Sequence, residues 1–156
     1  MLGYYDDPEE TAKVLVDGWL CTGDYGHFDE DGMLYISGRK KNVIVTKNGK
    51  NIFPEEVEYY LTQSEYILEA LVYGVDDDKT GDTVVKAVVF PDFETIQAEK
   101  GELSEQDLKI LLKTEIDKAN EFMPLYKRVR RFDVRKTEFQ KTTTRKIKRY
   151  TAENYS

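Results

Sequence analysis

Two β-rich runs separated by an acidic loop constrain this chain most. Residues 67–75 and 83–90 are dense in Val, Ile, Leu, Ala and Phe, the composition of strands buried in a sheet. Residues 76–82 between them carry four Asp and Gly81, which predicts an antiparallel hairpin. Downstream, Ser104 with Asp107 three positions on resembles a capping box. Leu108, Leu111, Leu112, Ile116, Ala119 and Phe122 then recur at the helical period, and Pro124 stops the helix. Residues 129–134 predict a last strand. Upstream, Pro54 with Glu55 and Glu56 opens a helix through Val57, Tyr60 and Leu61, with Ser64 continuing the period. Two very short strands, around Ile44 and Ile52, flank the Asn48-Gly49 turn and pair with each other. From residue 43 the order is β-β-α-β-β-α-β. The expected fold class is α+β: a small three-stranded sheet with flanking helices.

The residues before this domain read differently. Pro8, Glu9 and Glu10 predict one short helix in a lead-in segment. Apolar stretches on either side of Asp31-Gly32 predict a hairpin over 25–37. The charged, glycine-led stretch 38–41 is a junction. We therefore expect residues 1–40 to belong to another body and residues 41–156 to form the α+β domain.

With 156 residues, 40% hydrophobic and 34% charged, the chain has room for one ordinary domain and part of another. Its longest apolar runs are four residues (70–73 and 87–90), far short of a membrane-spanning helix. The polar opening gives no expectation of a signal peptide. One cysteine, Cys21, excludes an internal disulfide and a cysteine-built zinc site. One histidine, His27, excludes a multi-histidine metal site. The expected setting is cytoplasmic. The net charge of −7 hides an asymmetry: residues 127–149 carry eleven Lys and Arg against two acids, while residues 1–126 are at −15. Such an arm suits an anionic partner, whether nucleic acid, lipid, phosphate or nucleotide; a solvated basic tail that balances the body fits equally well.

Three clusters carry candidate chemistry. In residues 17–24, Asp-Gly-Trp-Leu-Cys-Thr-Gly-Asp, a glycine sets up Asp24 to accept hydrogen bonds from two vicinal hydroxyls, or simply to cap a turn. In residues 38–42, Gly-Arg-Lys-Lys-Asn, the cations suit a sugar or phosphate, or a solvated turn. Residues 141–149, Lys-Thr-Thr-Thr-Arg-Lys-Ile-Lys-Arg, could place an ammonium against charge developing on phosphate, or bind nucleic acid. Aromatic residues are sparse there, which weakens a single-strand stacking platform. No GxxxxGK[ST] loop and no GxGxxG is present, and Asp76-Asp77-Asp78 lacks the ligand spacing of a calcium loop.

In this order the clusters resemble the adenylate-forming enzymes, the acyl-CoA synthetase and luciferase superfamily. Gly3-Tyr4-Tyr5, Pro8 to Ala12 and Asp17 to Asp24 resemble the approach to the family's ribose-binding Asp. Tyr35 to Ile44, with Gly49 and then Pro54-Glu55-Glu56-Val57-Glu58, resembles its hinge. Residues 139–150 resemble its catalytic lysine loop. The Arg-Lys-Lys-Asn hinge and the Gln-Lys-Thr run are most similar to the long-chain fatty acyl branch. The chain departs from the common pattern in having Arg145 where many members have Gly, and Gln140 where many have Pro.

The resemblance implies roles. Asp24 and Arg39 would bind the ribose of the adenylate. Lys41 would be the hinge and Gly49 would line the channel for the CoA pantetheine. Lys146 would be the catalytic lysine, against the substrate carboxylate and the α-phosphate. The parent reaction would join a fatty acid to ATP as acyl-AMP, releasing pyrophosphate, and then to CoA. Mg²⁺ would serve through ATP, with no metal site expected here. The implied partner is the family's large N-terminal domain, of which residues 1–40 would be the last strands and Met1 the start of a fragment. The fragment alone is expected to be inactive, with no nucleic-acid partner and with peripheral membrane association open to the parent. The alternative is a free-standing domain that binds a partner or an anionic ligand.

Overall fold

A computed structural model of the chain describes residues 1–78 and 81–155. They form two compact units, one ending at Lys41 and the other starting at Asn42.

In the first unit, helix α1 (Pro8–Val14) starts where the sequence predicts. The Asp7 carboxylate accepts from the Glu10 backbone N–H at 2.9 Å, which satisfies an end group the helix itself leaves open. Strands β1 (Leu15–Val16) and β2 (Trp19–Leu20) pair across Asp17-Gly18. Both turn residues have positive φ, 50° and 82°, the primed turn that matches strand twist. The sequence reading had no hairpin here. The hairpin it did predict is present as β3 (Asp24–Phe28) and β4 (Leu34–Arg39). Its loop is closed by the Asp29 carboxylate, which accepts from the N–H groups of Asp31 (3.0 Å) and Met33 (2.8 Å). Gly38 is the only buried residue among the first 41. Trp19, Phe28, Met33 and Ile36 are all exposed.

The second unit is the α+β layer fold. Short strands β5 (Ile44–Val45) and β6 (Asn51–Ile52) pair and lead into helix α2 (Pro54–Leu61). Strands β7 (Ile67–Asp76) and β8 (Thr83–Pro91) form the long antiparallel hairpin. Residues 79–80 of its acidic loop lie outside the described residues. Two helices follow, α3 (Phe93–Lys100) and α4 (Glu105–Glu121), and then β9 (Val129–Val134) runs parallel to β8. The order across the sheet is β7-β8-β9. Helix α3 is absent from the sequence reading. Asp92 caps it and Gly101 ends it, but only Ile96 is buried, so no apolar stripe marks it. Helix α4 is capped as expected, with the Asp107 N–H donating to the Ser104 hydroxyl at 3.1 Å. Leu112, Ile116 and Ala119 are buried as predicted, but Phe122 lies past the helix end and is 75% exposed. Ser64 likewise falls beyond α2, where its hydroxyl donates to Glu115 at 2.8 Å.

Alternation along the strands divides the core in two. Ala70, Val72, Val85, Ala87 and Val89 pack with Val57, Leu61, Leu112 and Ile116 of the helices. Leu71, Val88 and Phe90 form a second cluster, closed by Phe139, Ile147 and Tyr155 of the C-terminal segment. The sequence reading left that segment as a basic arm with one helical turn at 146–150. The turn is not there. The segment folds back as a loop bridged between Lys141 and Ile147 and ends in a short 3-10 turn, Ala152–Tyr155. Its apolar residues are what cover the second face of the sheet.

The outer edge of β7 is closed by side chains. The Val72 N–H donates to Glu58 at 2.6 Å, and the Val72 carbonyl accepts from the Arg149 guanidinium at 3.0 Å. Arg149 also pairs with Glu58 itself. A carboxylate and a guanidinium thus take the place of a neighbouring strand. Burial dominates Glu58 and pushes its carboxyl up to about 7 against the pull of Arg149 and the Val72 N–H, with Glu55 adding a small upward push. The folded state then holds a proton that the unfolded chain releases near 4.5. Stability is expected to fall as pH rises through that interval. Denaturant titrations of Glu58→Gln at pH 5 and pH 7.5 should show a shallower pH dependence than the parent. An unchanged dependence would show that Glu58 does not titrate there.

Candidate functional site

Asp24 and Arg39 are separated by a whole hairpin in sequence and are register partners at its open end. The Arg39 Nη1 lies 2.9 Å from Asp24 Oδ1 and also donates to the Thr22 carbonyl at 2.9 Å. The Thr22 hydroxyl accepts from the Asp24 N–H at 3.2 Å, and the Lys40 N–H donates to the Gly23 carbonyl at 2.8 Å. The glycine turn of the sequence motif is therefore pinned on both sides. Both side chains keep part of their surface in solvent, so the pair contributes little to stability, under about 1 kcal/mol. Its chemistry lies in the juxtaposition: an anionic acceptor next to a planar fork of donors matches a pair of hydroxyls or a phosphate.

Lys41 sits in a short 3-10 turn, Lys40–Asn42, and is exposed. The division between the two units follows it directly. Just beyond, the Asn42 amide donates to Glu55 of α2 at 2.6 Å, which ties the start of the second unit to its first helix. Gly49 stands at the tip of the β5–β6 turn with φ 70°. The turn is closed by Gly49 N–H to Thr46 carbonyl at 2.9 Å and Thr46 N–H to Lys50 carbonyl at 3.0 Å. A Cβ on Gly49 would meet no atom within 4 Å. Its absence there serves the backbone turn rather than close packing.

Lys146 lies on the loop between Lys141 and Ile147. Within it the Thr142 N–H donates to the Lys146 carbonyl at 2.8 Å, the Arg145 N–H to the Thr142 carbonyl at 2.9 Å, and the Lys146 N–H to the Thr142 hydroxyl at 3.2 Å. Arg145 adopts φ 62°, a left-handed conformation that glycine takes freely and arginine does not. Residues 143–146 are exposed. The chain before and after is held. Lys141 pairs with Glu69 at 2.7 Å and with Glu138 at 2.9 Å. Ile147 packs into the second core cluster, and Arg149 is bound at the edge of β7.

Five of the eleven cations in 127–149 pair with acids from outside that segment. Of the cations in 127–149, Lys127 pairs with Glu56, Arg131 with Asp77, Lys136 with Glu105, Lys141 with Glu69 and Arg149 with Glu58. The segment is therefore a partly paired layer on the fold and not a wholly free arm. Among the described residues no group of three or more His, Cys, Asp and Glu could hold a metal ion, and no helix is long and apolar enough to cross a membrane.

Asp24 and Arg39 thus come together in the first unit, while Gly49 and Lys146 occupy two turns of the second. Sequence reasoning missed Glu58, Glu69 and Asn154 as supports of the lysine loop. Glu58 and Glu69 carry no local signal, since each is an acid in an amphipathic element whose partner is some seventy to ninety positions away. Asn154 lies in a polar tail where nothing local announces burial.

Three kinds of comparison bear on this arrangement. The family model of the AMP-binding enzyme C-terminal domain matches residues 41–155. The long-chain-fatty-acid–CoA ligase of Bacillus subtilis (strain 168) is 53% identical over 89 residues, 57% of this chain and 16% of that protein. The indoleacetate–CoA ligase of Aromatoleum aromaticum is 43% identical over 98 residues, 63% of this chain and 19% of that protein. The chain therefore spans under a fifth of the length of these curated relatives. Among solved structures, the anthranilate CoA ligase AuaEII in complex with anthranoyl-AMP superposes with a TM-score of 0.73 at 27% identity, over 94% of this chain and 26% of that one. The Bacillus subtilis o-succinylbenzoate CoA synthetase with ATP and magnesium ion gives 0.70 at 27% identity, over 94% of this chain and 27% of that one. With the family model covering most of its length, the chain belongs to the AMP-binding enzyme C-terminal domain family.

Proposed function

We propose that this chain is the C-terminal part of a long-chain fatty acid–CoA ligase, in which residues 42–156 act as a lid that carries the catalytic lysine. The observation that supports this most is the lysine loop: Lys146 is exposed on a turn whose two ends are anchored to the sheet. The 53% identity to the Bacillus subtilis long-chain ligase favours a fatty acid among the possible carboxylates. Relatives that act on indoleacetate and on 2-succinylbenzoate share the same domain at 43%. Residues 1–41 would be the last strands of the large domain, and their uncovered apolar side chains suit a segment that packs against something more.

In this reading Asp24 accepts hydrogen bonds from the ribose hydroxyls while Arg39 holds Asp24 in place and adds a donor to the same sugar. The first half-reaction joins the carboxylate to the α-phosphate and expels pyrophosphate. Negative charge builds on the α-phosphate, and the Lys146 ammonium offsets it when the lid is closed. The second half-reaction needs the lysine withdrawn and a path for the CoA thiol. Rotation at Lys41 would do both, bringing the Gly49 turn to the thiol channel. Mg²⁺ would arrive bound to ATP and lower the charge on its phosphates. ATP, the acid and CoA would be held mainly by the large domain, so the 156-residue chain by itself should not turn over. The parent would work in the cytoplasm, in reach of a membrane surface that presents its fatty acid.

A chimera in which this chain replaces the matching part of the Bacillus subtilis ligase tests the reading. Lys146→Ala should lower acyl-adenylate formation by at least 100-fold and leave thioester formation from supplied acyl-adenylate near the parent rate. Equal adenylation rates in the two proteins would overturn the assignment. A second expectation concerns Arg145. Replacing it by Gly should relieve a left-handed strain of about 1 kcal/mol and raise the melting temperature of the chain. A lower melting temperature would mean that the arginine side chain makes contacts worth more than the strain.

A further inference from the structure

The loop that carries Lys146 is closed at its base by a residue just outside its motif. Asn154 is 0% exposed, an unusual burial for an amide side chain. Its carbonyl oxygen accepts from the Gln140 N–H at 2.9 Å. Its amide donates to the Gln140 carbonyl at 3.1 Å and to the Lys148 carbonyl at 3.0 Å. Gln140 and Lys148 are the two ends of the loop, and they also bond each other, Lys148 N–H to Gln140 carbonyl at 2.9 Å. One side chain therefore ties together both strands of the loop neck.

Asn154 is itself fixed from three directions. The Arg135 guanidinium donates to the carbonyl of Glu153 at 2.5 Å and stacks over the Phe139 ring at 4.7 Å. The Tyr155 hydroxyl donates to the Arg149 carbonyl, and its ring meets Tyr73 edge-on at 4.7 Å. The Asn154 N–H donates to the Thr151 carbonyl at 3.0 Å. These contacts carry the position of the sheet, through Tyr73 and Phe139, to the loop neck. Lys146 is six positions from Gln140 and two from Lys148, so a tilt at the neck is carried to the Lys146 ammonium. Among the described residues, the bonds at the loop tip are those of its own turn.

We propose that Asn154 is a positioning residue for Lys146: it sets the height and tilt of the lysine loop above the sheet, and through that the reach of the ammonium toward the substrate phosphate. The proposal rests on the lysine reading given above. A positioning role separates from a merely structural one, because only the half-reaction that uses the ammonium should suffer.

The test uses the chimera with the Bacillus subtilis large domain and compares Asn154→Ala, Asn154→Ser and Lys146→Ala with the parent. Asn154→Ala should lower the rate of acyl-adenylate formation at least tenfold, with thioester formation from supplied acyl-adenylate within twofold of the parent. Amide exchange of residues 141–147 should rise at the same time. Asn154→Ser, which keeps one polar group in the neck, should fall between the two and serves as the readout if Asn154→Ala does not fold. Equal losses in both half-reactions, or an unchanged adenylation rate, would overturn the proposal. If Lys146→Ala also leaves adenylation unchanged, the lysine reading fails with it. If Lys146→Ala abolishes adenylation while the Asn154 variants do not slow it, only the present inference fails.

Discussion

Strand β7 lies at the edge of a three-stranded sheet and is apolar on both faces, and most of this structure follows from covering it. Its helix-side residues meet α2 and α4, and its other face would stand in water if the C-terminal segment were free. Leu71, Val88 and Phe90 are buried because Phe139, Ile147 and Tyr155 close over them. The hydrophobic gain from that closure orders a segment whose composition reads as solvated. The open edge of β7 is then capped by Glu58 from α2 and Arg149 from the same segment. Two of these requirements, the second face and the edge, converge on the C-terminal segment.

That convergence has a consequence for chemistry. The segment is held at Lys141, Ile147, Arg149 and the 152–155 turn, while the residues between Thr142 and Ile147 are left at the surface. A cation on such a turn has little freedom at its base and water at its tip. In the proposed role, preorganisation of this kind is what the Lys146 ammonium would use against a charge that forms only during reaction. The ion pairs spread over 127–149 serve the same end. They pair part of the positive charge with acids of the body.

Much of the architecture was legible because it is written in local patterns. The long hairpin, α2, α4 and the last strand each declare themselves by period, by a capping residue or by a turn dipeptide. The Asp31-Gly32 hairpin was visible for the same reason. Helix α3 was not, since Asp92 and Gly101 bracket it but a single buried Ile96 gives no stripe. The turn at Asp17-Gly18 was hidden inside a stretch read for its chemistry. Phe122 was read into the core by period alone, although the helix ends one residue earlier and leaves the ring in solvent.

The candidate residues divide in the same manner. Asp24, Arg39, Lys41, Gly49 and Lys146 were named from motif spacing and resemblance, and the sequence by itself determined their identity and order but not every element, since Arg39 ends a strand and Lys146 sits on a loop where a helical turn was expected. Only the tertiary structure decided that Asp24 and Arg39 face each other across a hairpin, and that the basic tail is a packed layer rather than an arm. It also decided that Asn154, Glu58 and Glu69 support the lysine loop. The reason is physical. Period, capping and turn chemistry act over a few residues and leave a trace in the sequence, whereas the partner of a buried amide or carboxylate is chosen by which surfaces remain uncovered once the sheet and its helices have packed.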